Sequence, residues 1–244
     1  KEILAGFMDG YVVSAVYGED VSLRTLALKR AELIRMYLDI HGLARDVRPA
    51  PYTGGETTVR LGVLCPGALS ETAALRGHLL GLDTSIFQVI AFVPDEAATS
   101  VSAHFQDLAD DFVVLPTNDL PQAAEIVAAE KLDVLMAGAN LTNTCRFPWT
   151  LLMAQRLARL QVVMHSCCLT TGFPTVDLFL NGILNEPDDM AEDYTEEVAL
   201  FPGSSNHYAF PGPAVQPDAI TREQIGVPDA ALLLLSGANY FKIG

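Results

Sequence analysis

With 244 residues, half of them apolar and 18% charged, the chain can bury a large core, which excludes a disordered protein and predicts one large domain or two modest ones. Its 15 Lys and Arg against 30 Asp and Glu give a formal net charge of −15, with basic residues scattered apart from Lys29 and Arg30, so nucleic acid is a poor partner. No run of about twenty apolar residues and no secretory-type start is present, which predicts a soluble, cytoplasmic protein without a membrane span.

The first predicted element is an amphipathic helix over residues 20–41, with Asp20 as its N-cap and Gly42 at its end. Apolar residues recur there at helical spacing: Leu23, Leu26, Ala31, Leu33, Ile34, Tyr37 and Leu38. The proline- and glycine-containing segment 48–55 then predicts a domain boundary. Residues 1–50 are therefore predicted to be a helical segment whose apolar face contacts the rest of the chain or a protein partner.

Beyond residue 55 short apolar runs alternate with helical stretches. The predicted strands are 59–64, 87–93, 112–115, 132–137 and 161–164, and the predicted helices are 70–82, 103–109, 121–130 and 149–157. Such alternation predicts an α/β fold, with a parallel sheet covered by helices on both faces. The turn after the first strand, residues 65–70, has one glycine and a proline, so it is not a dinucleotide site by motif. The small, polar loop 137–144 is either a ligand contact or a tight crossover loop.

The end of the chain places polar groups after an apolar run. Leu232 to Leu235 predicts a buried strand, and Asn239 and Lys242 follow it. In open parallel sheets ligands bind beyond the carboxyl ends of strands, so Lys242 could neutralise a phosphate. On spacing alone, a solvated surface lysine is the more ordinary interpretation of Lys242.

The four cysteines lack paired C-x-x-C spacing, so neither a zinc site nor a disulfide framework is predicted. Cys167 and Cys168 lie near His165 and could form a nucleophile with its base, although neighbours on a strand point to opposite faces. The remaining histidines show no metal-binding spacing and no recognisable cluster: His41, His78, His104 and His207.

Read in order, these blocks resemble the catalytic region of the O-linked N-acetylglucosamine transferase and SPINDLY family, from about Val59 to Gly244. The most specific part of the resemblance is the 161–203 block, which comprises Gln161, Thr170 to Gly172, Asp177, Pro187, Ala191, Glu192, Tyr194, Glu196 and Phe201 to Gly203. A second block is Gly226 to Asp229, the apolar run, and Asn239 to Ile243.

The resemblance implies a Rossmann-like lobe of a GT-B type glycosyltransferase, preceded by a short helical segment. Residues 1–50 would then be the possible end of a helical-repeat region, 56–225 the N-terminal lobe, and 226–244 the start of a second, donor-binding lobe that is truncated. The implied activity is transfer of a sugar such as N-acetylglucosamine from a UDP-sugar to protein side chains, with no cofactor and no metal. The partners would be the UDP-sugar and an acceptor protein.

The resemblance also assigns site residues. Lys242 falls on the family's phosphate-binding lysine, with Asn239 before it, and His165 and Ser166 occupy a loop that lies beside the donor in the family. Glu71 is a candidate base, or simply an acid favoured by the dipole of the helix that it begins. Gly67, Glu71 and Ala73 stand where the family has a polar Asp, His and Thr. This departure supports an alternative, a catalytically degenerate binding subunit or scaffold.

Overall fold

The computed structural model describes residues 20–46, 58–142, 149–210 and 221–234. The chain divides into two compact units, Lys1–Phe210 and Pro211–Gly244. The domain boundary predicted within 48–55 lies outside those ranges, as do Asn239 and Lys242. Among the residues described, no helix is long and apolar enough to cross a membrane.

The first unit is built on a seven-stranded sheet in which all neighbouring strands are parallel. Its strands are β1 Val59–Leu64, β2 Phe87–Pro94, β3 Asp111–Leu115, β4 Val134–Ala137, β5 Leu160–Met164, β6 Leu178–Gly182 and β7 Glu197–Phe201. Their order across the sheet is β3-β2-β1-β4-β5-β6-β7. The chain therefore starts at the centre, builds outward to β3, and returns to place β4 on the other side of β1.

Helices cover both faces of this sheet, so the predicted fold class is confirmed. The helices are α1 Leu23–Ile40, α2 Leu69–Leu79, α3 Ala98–Ala103, α4 Leu120–Ala129 and α5 Trp149–Met153, with short 3-10 turns at Asp95–Ala97 and Met190–Glu192. One buried cluster joins α1, α4 and α5 to the sheet, and the other joins α2 and α3 to it. Strands buried on both faces explain the continuous apolar runs of the sequence.

Helix α1 forms as predicted, but Asp20 is not its cap. The Ser22 hydroxyl accepts a hydrogen bond from the backbone N–H of Thr25 at 3.2 Å, because Ser22 is the residue immediately before the first helical turn. Ile34 and Leu38 are fully buried in the same cluster as Leu135 and Phe179 of the sheet. Helix α1 is thus part of the core of the first unit.

Two predicted helices differ from the structure. The helix predicted over 103–109 is misplaced, because α3 spans Ala98–Ala103 and residues 104–108 form turns. Helix α5 ends at Met153, whose carbonyl accepts hydrogen bonds from Gln161 Nε2 at 3.1 Å and Thr175 Oγ1 at 2.7 Å. These side chains take the place of the next helical turn as partners for that carbonyl.

Strands β6 and β7 were not predicted from the sequence. Strand β7 lies at the edge of the sheet, with Leu200 and Phe201 partly exposed, so it lacks the buried apolar run that marks the central strands.

In the second unit the predicted buried strand at Leu232 to Leu235 is wrong over its described part. Residues 232–234 form no strand, and Leu232 and Leu234 are 86% and 83% exposed. No strand pairs with them within the described part of that unit, and an apolar run becomes a buried strand only when neighbours supply hydrogen bonds and cover its faces.

Candidate functional site

The order of the strands makes the carboxyl ends of β1 and β4 the topological switch point of the sheet. Helix α2 follows β1 onto one face, whereas α5 follows β4 onto the other. Ligands of open α/β sheets bind in the crevice that forms where the connections diverge in this way. The loops 65–68, 138–142 and 165–169, which follow β1, β4 and β5, are called the carboxyl-edge loops below.

Hydrogen bonds join the carboxyl-edge loops to each other and to the start of α2. Glu71 Oε1 accepts from the backbone N–H of Asn140 at 3.2 Å, and Asn140 Nδ2 contacts Cys168 Sγ at 3.2 Å. The Asn140 side-chain oxygen also accepts from the Thr142 N–H and hydroxyl, both at 3.0 Å. Thr142 Oγ1 in turn accepts from the N–H of Cys168 at 2.9 Å. Polar groups from three strand ends therefore converge at one edge of the sheet.

A pair of histidines lies at the same edge. His78 Nε2, on α2, is 3.1 Å from His165 Nδ1, at the end of β5. Phe201 packs against the His78 ring at a centroid distance of 5.9 Å, and Tyr208 packs edge-on against the His165 ring at 5.8 Å. This cluster corrects the expectation that the other histidines assemble into nothing, because His78 is a partner of His165.

Both histidines are held neutral near pH 7. Burial, reinforced by the nearby His78, lowers the pKa of His165 to about 4. Burial also lowers the pKa of His78, with the nearby His207 contributing in the same direction. Within the described residues, His165 Nε2 and Ser166 Oγ are buried and have no hydrogen-bond partner.

The start of α2 offers little polar chemistry apart from Glu71. Thr72 is buried, and its hydroxyl donates to the carbonyl of Pro66 at 3.3 Å. Ala73 is fully buried, and its carbonyl accepts from the N–H of Ala209 at 2.8 Å. Glu71 is therefore the residue of this turn whose side chain reaches a neighbouring carboxyl-edge loop.

The geometry opposes the cysteine-nucleophile hypothesis for Cys167. Its Sγ is buried, 3.8 Å from the carbonyl of Ala139, and burial raises its pKa to about 12. Cys168 is exposed. Among the described residues, no group of three or more His, Cys, Asp and Glu side chains could hold a metal ion.

Sequence reasoning missed His78, although a signal was available. His78 follows Glu71 by seven residues, which is two helical turns, so both side chains lie on the same face of α2. That face meets the loops after β4 and β5. The tertiary pairing with His165, however, depends on which strand stands next to which, and the sequence does not specify this.

No protein-family model and no curated protein matches the sequence. Among solved structures, the O-GlcNAc transferase of Thermobaculum terrenum, solved as a point mutant, matches with a TM-score of 0.56 at 18% identity and covers 78% of this chain. This chain therefore shares a Rossmann-like α/β fold with part of that transferase. The chain spans 36% of the length of that transferase. BdcA of E. coli matches with a TM-score of 0.31 at 14% identity, and the match covers 45% of this chain and 64% of the BdcA chain. A TM-score this low does not indicate a shared fold.

Proposed function

We propose that this chain is the N-terminal lobe of a nucleotide-sugar-dependent protein glycosyltransferase. The observation that carries the proposal is the convergence of the carboxyl-edge loops, seen in the contact of Glu71 Oε1 with the N–H of Asn140 and in the His78–His165 pair. Likeness of fold to a bacterial O-GlcNAc transferase supports the same class. The donor would be a UDP-sugar such as UDP-N-acetylglucosamine, with Ser or Thr hydroxyls of a protein as acceptors.

The proposed roles follow from the chemistry of the transfer. An inverting transfer needs positive charge or donors at the departing diphosphate, and a route for the acceptor proton. Lys242, with Asn239 three residues earlier in the chain, would supply the first. His165 and Ser166 would contact the donor, and Glu71 would be the candidate base. No cofactor and no metal ion is required by these roles.

A second function, a degenerate binding subunit or scaffold, is favoured by the start of α2. Gly67 has no side chain, and Ala73 is fully buried and apolar. The Glu71 carboxylate already accepts a hydrogen bond from the backbone N–H of Asn140, so one of its oxygens is engaged in holding that loop.

The test is calorimetric titration of UDP and UDP-N-acetylglucosamine into the longest natural form of the protein and into its Lys242→Ala variant. We expect the variant to bind both ligands at least about tenfold more weakly, since an ammonium group on the diphosphate is lost. Lys29→Ala is the matched control, because Lys29 lies exposed on α1. Absence of binding by the unmodified protein would overturn the donor site.

Transfer of labelled sugar to acceptor peptides separates the two functions. Turnover that disappears in Lys242→Ala supports the enzyme. Binding of the donor without turnover supports the degenerate subunit.

A further inference from the structure

We propose that His78 is a positioning residue, which holds His165 as the Nδ1–H tautomer so that the Nε2 lone pair accepts a hydrogen bond from a sugar hydroxyl. The choice of a sugar as the ligand rests on the proposed function. The positioning of His165 by His78 rests on the geometry and burial of the pair and is independent of the ligand.

The imidazole rings of His78 and His165 are held rigidly. The two rings share one hydrogen bond of 3.1 Å, and each is packed against an aromatic ring, Phe201 on His78 and Tyr208 on His165. His78 belongs to a regular helix, and His165 directly follows a central strand. Neither imidazole can rotate without losing the shared hydrogen bond.

One proton lies between His78 Nε2 and His165 Nδ1, and its position sets the tautomer of His165. Two neutral imidazoles bring one N–H to the 3.1 Å contact, so either His78 Nε2 or His165 Nδ1 donates. If His78 donated, the proton of His165 would have to lie on Nε2, which is buried and has no acceptor among the described residues. Orphaned buried N–H groups are rarer in proteins than under-satisfied acceptors, so we place the proton on His165 Nδ1.

The tautomer of His165 determines which ligand groups its Nε2 atom can bind. A lone pair on Nε2 accepts from a hydroxyl or an N–H but is repelled by a phosphate oxygen, which has no proton to give. Ser166 Oγ, in the next residue, is a second buried polar atom without a partner within the described chain, and it can donate or accept. Two such atoms fit adjacent hydroxyl groups of a sugar ring. Tyr208, a residue that is 46% exposed, packs edge-on against the His165 ring, so access of a sugar to Nε2 requires the Tyr208 ring to shift toward solvent while the His78–His165 contact is kept.

Nitrogen-15 NMR of the imidazole rings at pH 7 tests the positioning directly. We expect His165 to be protonated at Nδ1 in the unmodified protein and to change to the Nε2–H form in His78→Phe, which keeps a ring but removes the acceptor. His78→Gln should restore the Nδ1–H form, since its amide oxygen can accept. His104→Phe is the control for removing a histidine elsewhere. The proposal would be overturned if His165 carried its proton on Nε2 in the unmodified protein. It would also be overturned if the tautomer of His165 were the same in His78→Phe as in the unmodified protein.

Titration of UDP and UDP-N-acetylglucosamine tests the ligand separately. We expect His78→Phe to weaken UDP-N-acetylglucosamine about tenfold, His78→Gln to recover it, and UDP alone to bind equally to all forms. Equal weakening of both ligands would overturn the assignment of Nε2 to a sugar hydroxyl. If the tautomer responds to His78 but the unmodified protein binds neither ligand, the positioning role stands and the proposed function fails.

Discussion

Glu196 is a buried carboxylate whose partners are threonine hydroxyls and the backbone amides of Thr171 and Thr195. Its Oε1 accepts from the N–H of Thr171 at 2.8 Å and from the hydroxyl of Thr171, while Oε2 accepts from the hydroxyl of Thr170. These residues belong to the 161–203 block, the most specific part of the resemblance to the transferase family. Gln161 and Asp177 of the same block also bond to backbone groups. At the scale of residues, much of that block therefore stabilises loop geometry near the site.

We expect Glu196→Ala to lower the free energy of unfolding by about 3 kcal/mol, because the N–H groups of Thr171 and Thr195 and the neighbouring threonine hydroxyls lose this acceptor. Glu196→Gln, which keeps one oxygen, should cost less. Urea denaturation followed by circular dichroism measures both. Glu197→Ala is the matched control, since Glu197 is the exposed neighbour in the chain. Equal stability of Glu196→Ala and the control would show that the network contributes nothing.

At the scale of elements, α2 and the segment 203–210, here called the connector, are fitted closely together. The N–H of Ala209 donates to the carbonyl of Ala73 at 2.8 Å, and Gly77 faces His207 so closely that a Cβ on Gly77 would overlap the carbonyl oxygen of His207. Glycine inside a helix costs stability, so its presence there has a packing reason. The connector carries Tyr208, which contacts His165. The fit of α2 against the connector thus sets the surroundings of the histidine pair.

We expect Gly77→Ala to lower the free energy of unfolding by about 1 to 3 kcal/mol, because the overlap with the backbone outweighs the better helix propensity of alanine. It should also speed cleavage of the connector by a nonspecific protease. Gly81→Ala is the control, because a Cβ there meets no atom within 4 Å. A Gly77→Ala variant as stable as the control would mean that the connector does not press on α2.

At the scale of the whole molecule, the packing of α1 bears most on how the chain is divided into domains. It was predicted as part of a separate helical segment, and that domain division stays a prediction because the segment joining α1 to β1 lies largely outside the described residues. Its buried face nevertheless packs into the core of the sheet, where Ile34 is fully buried. The opposite face exposes apolar side chains, including Met36 at 47%.

We expect Ile34→Ala to lower the stability of the entire first unit by about 2 to 5 kcal/mol, since it leaves a cavity between α1 and the sheet. Unfolding should remain a single transition when it is followed by tryptophan fluorescence of Trp149 and by circular dichroism. Met36→Ala on the exposed face is the control. If helical signal were lost while the fluorescence transition stayed unchanged, α1 would be an independent segment.

Some strands were predicted from the sequence with nearly correct bounds, whereas others were missed. The predicted bounds of β1 agree with the structure, and those of β2 and β5 agree to within one residue, because central parallel strands are buried on both faces and appear as continuous apolar runs. Strands β6 and β7 were missed, whereas β3 at the opposite edge was predicted to within one residue, so an edge position does not by itself hide a strand. In β6 the apolar run is only three residues long before Asn181. In the site, Glu71, His165 and Ser166 were named by resemblance, whereas His78 was not. The site roles of these residues and of Asn239 and Lys242 stay predictions.

The sequence by itself determined the alternation of strands and helices and the parallel sheet, since both follow from local hydrophobic periodicity and chain direction. Only the tertiary structure decided which strands are neighbours, that α1 packs into the core, and that His78 meets His165. These features depend on contacts between residues far apart in the chain, whose free energies arise from packing and burial after the sheet has formed. Local sequence patterns carry no record of such contacts.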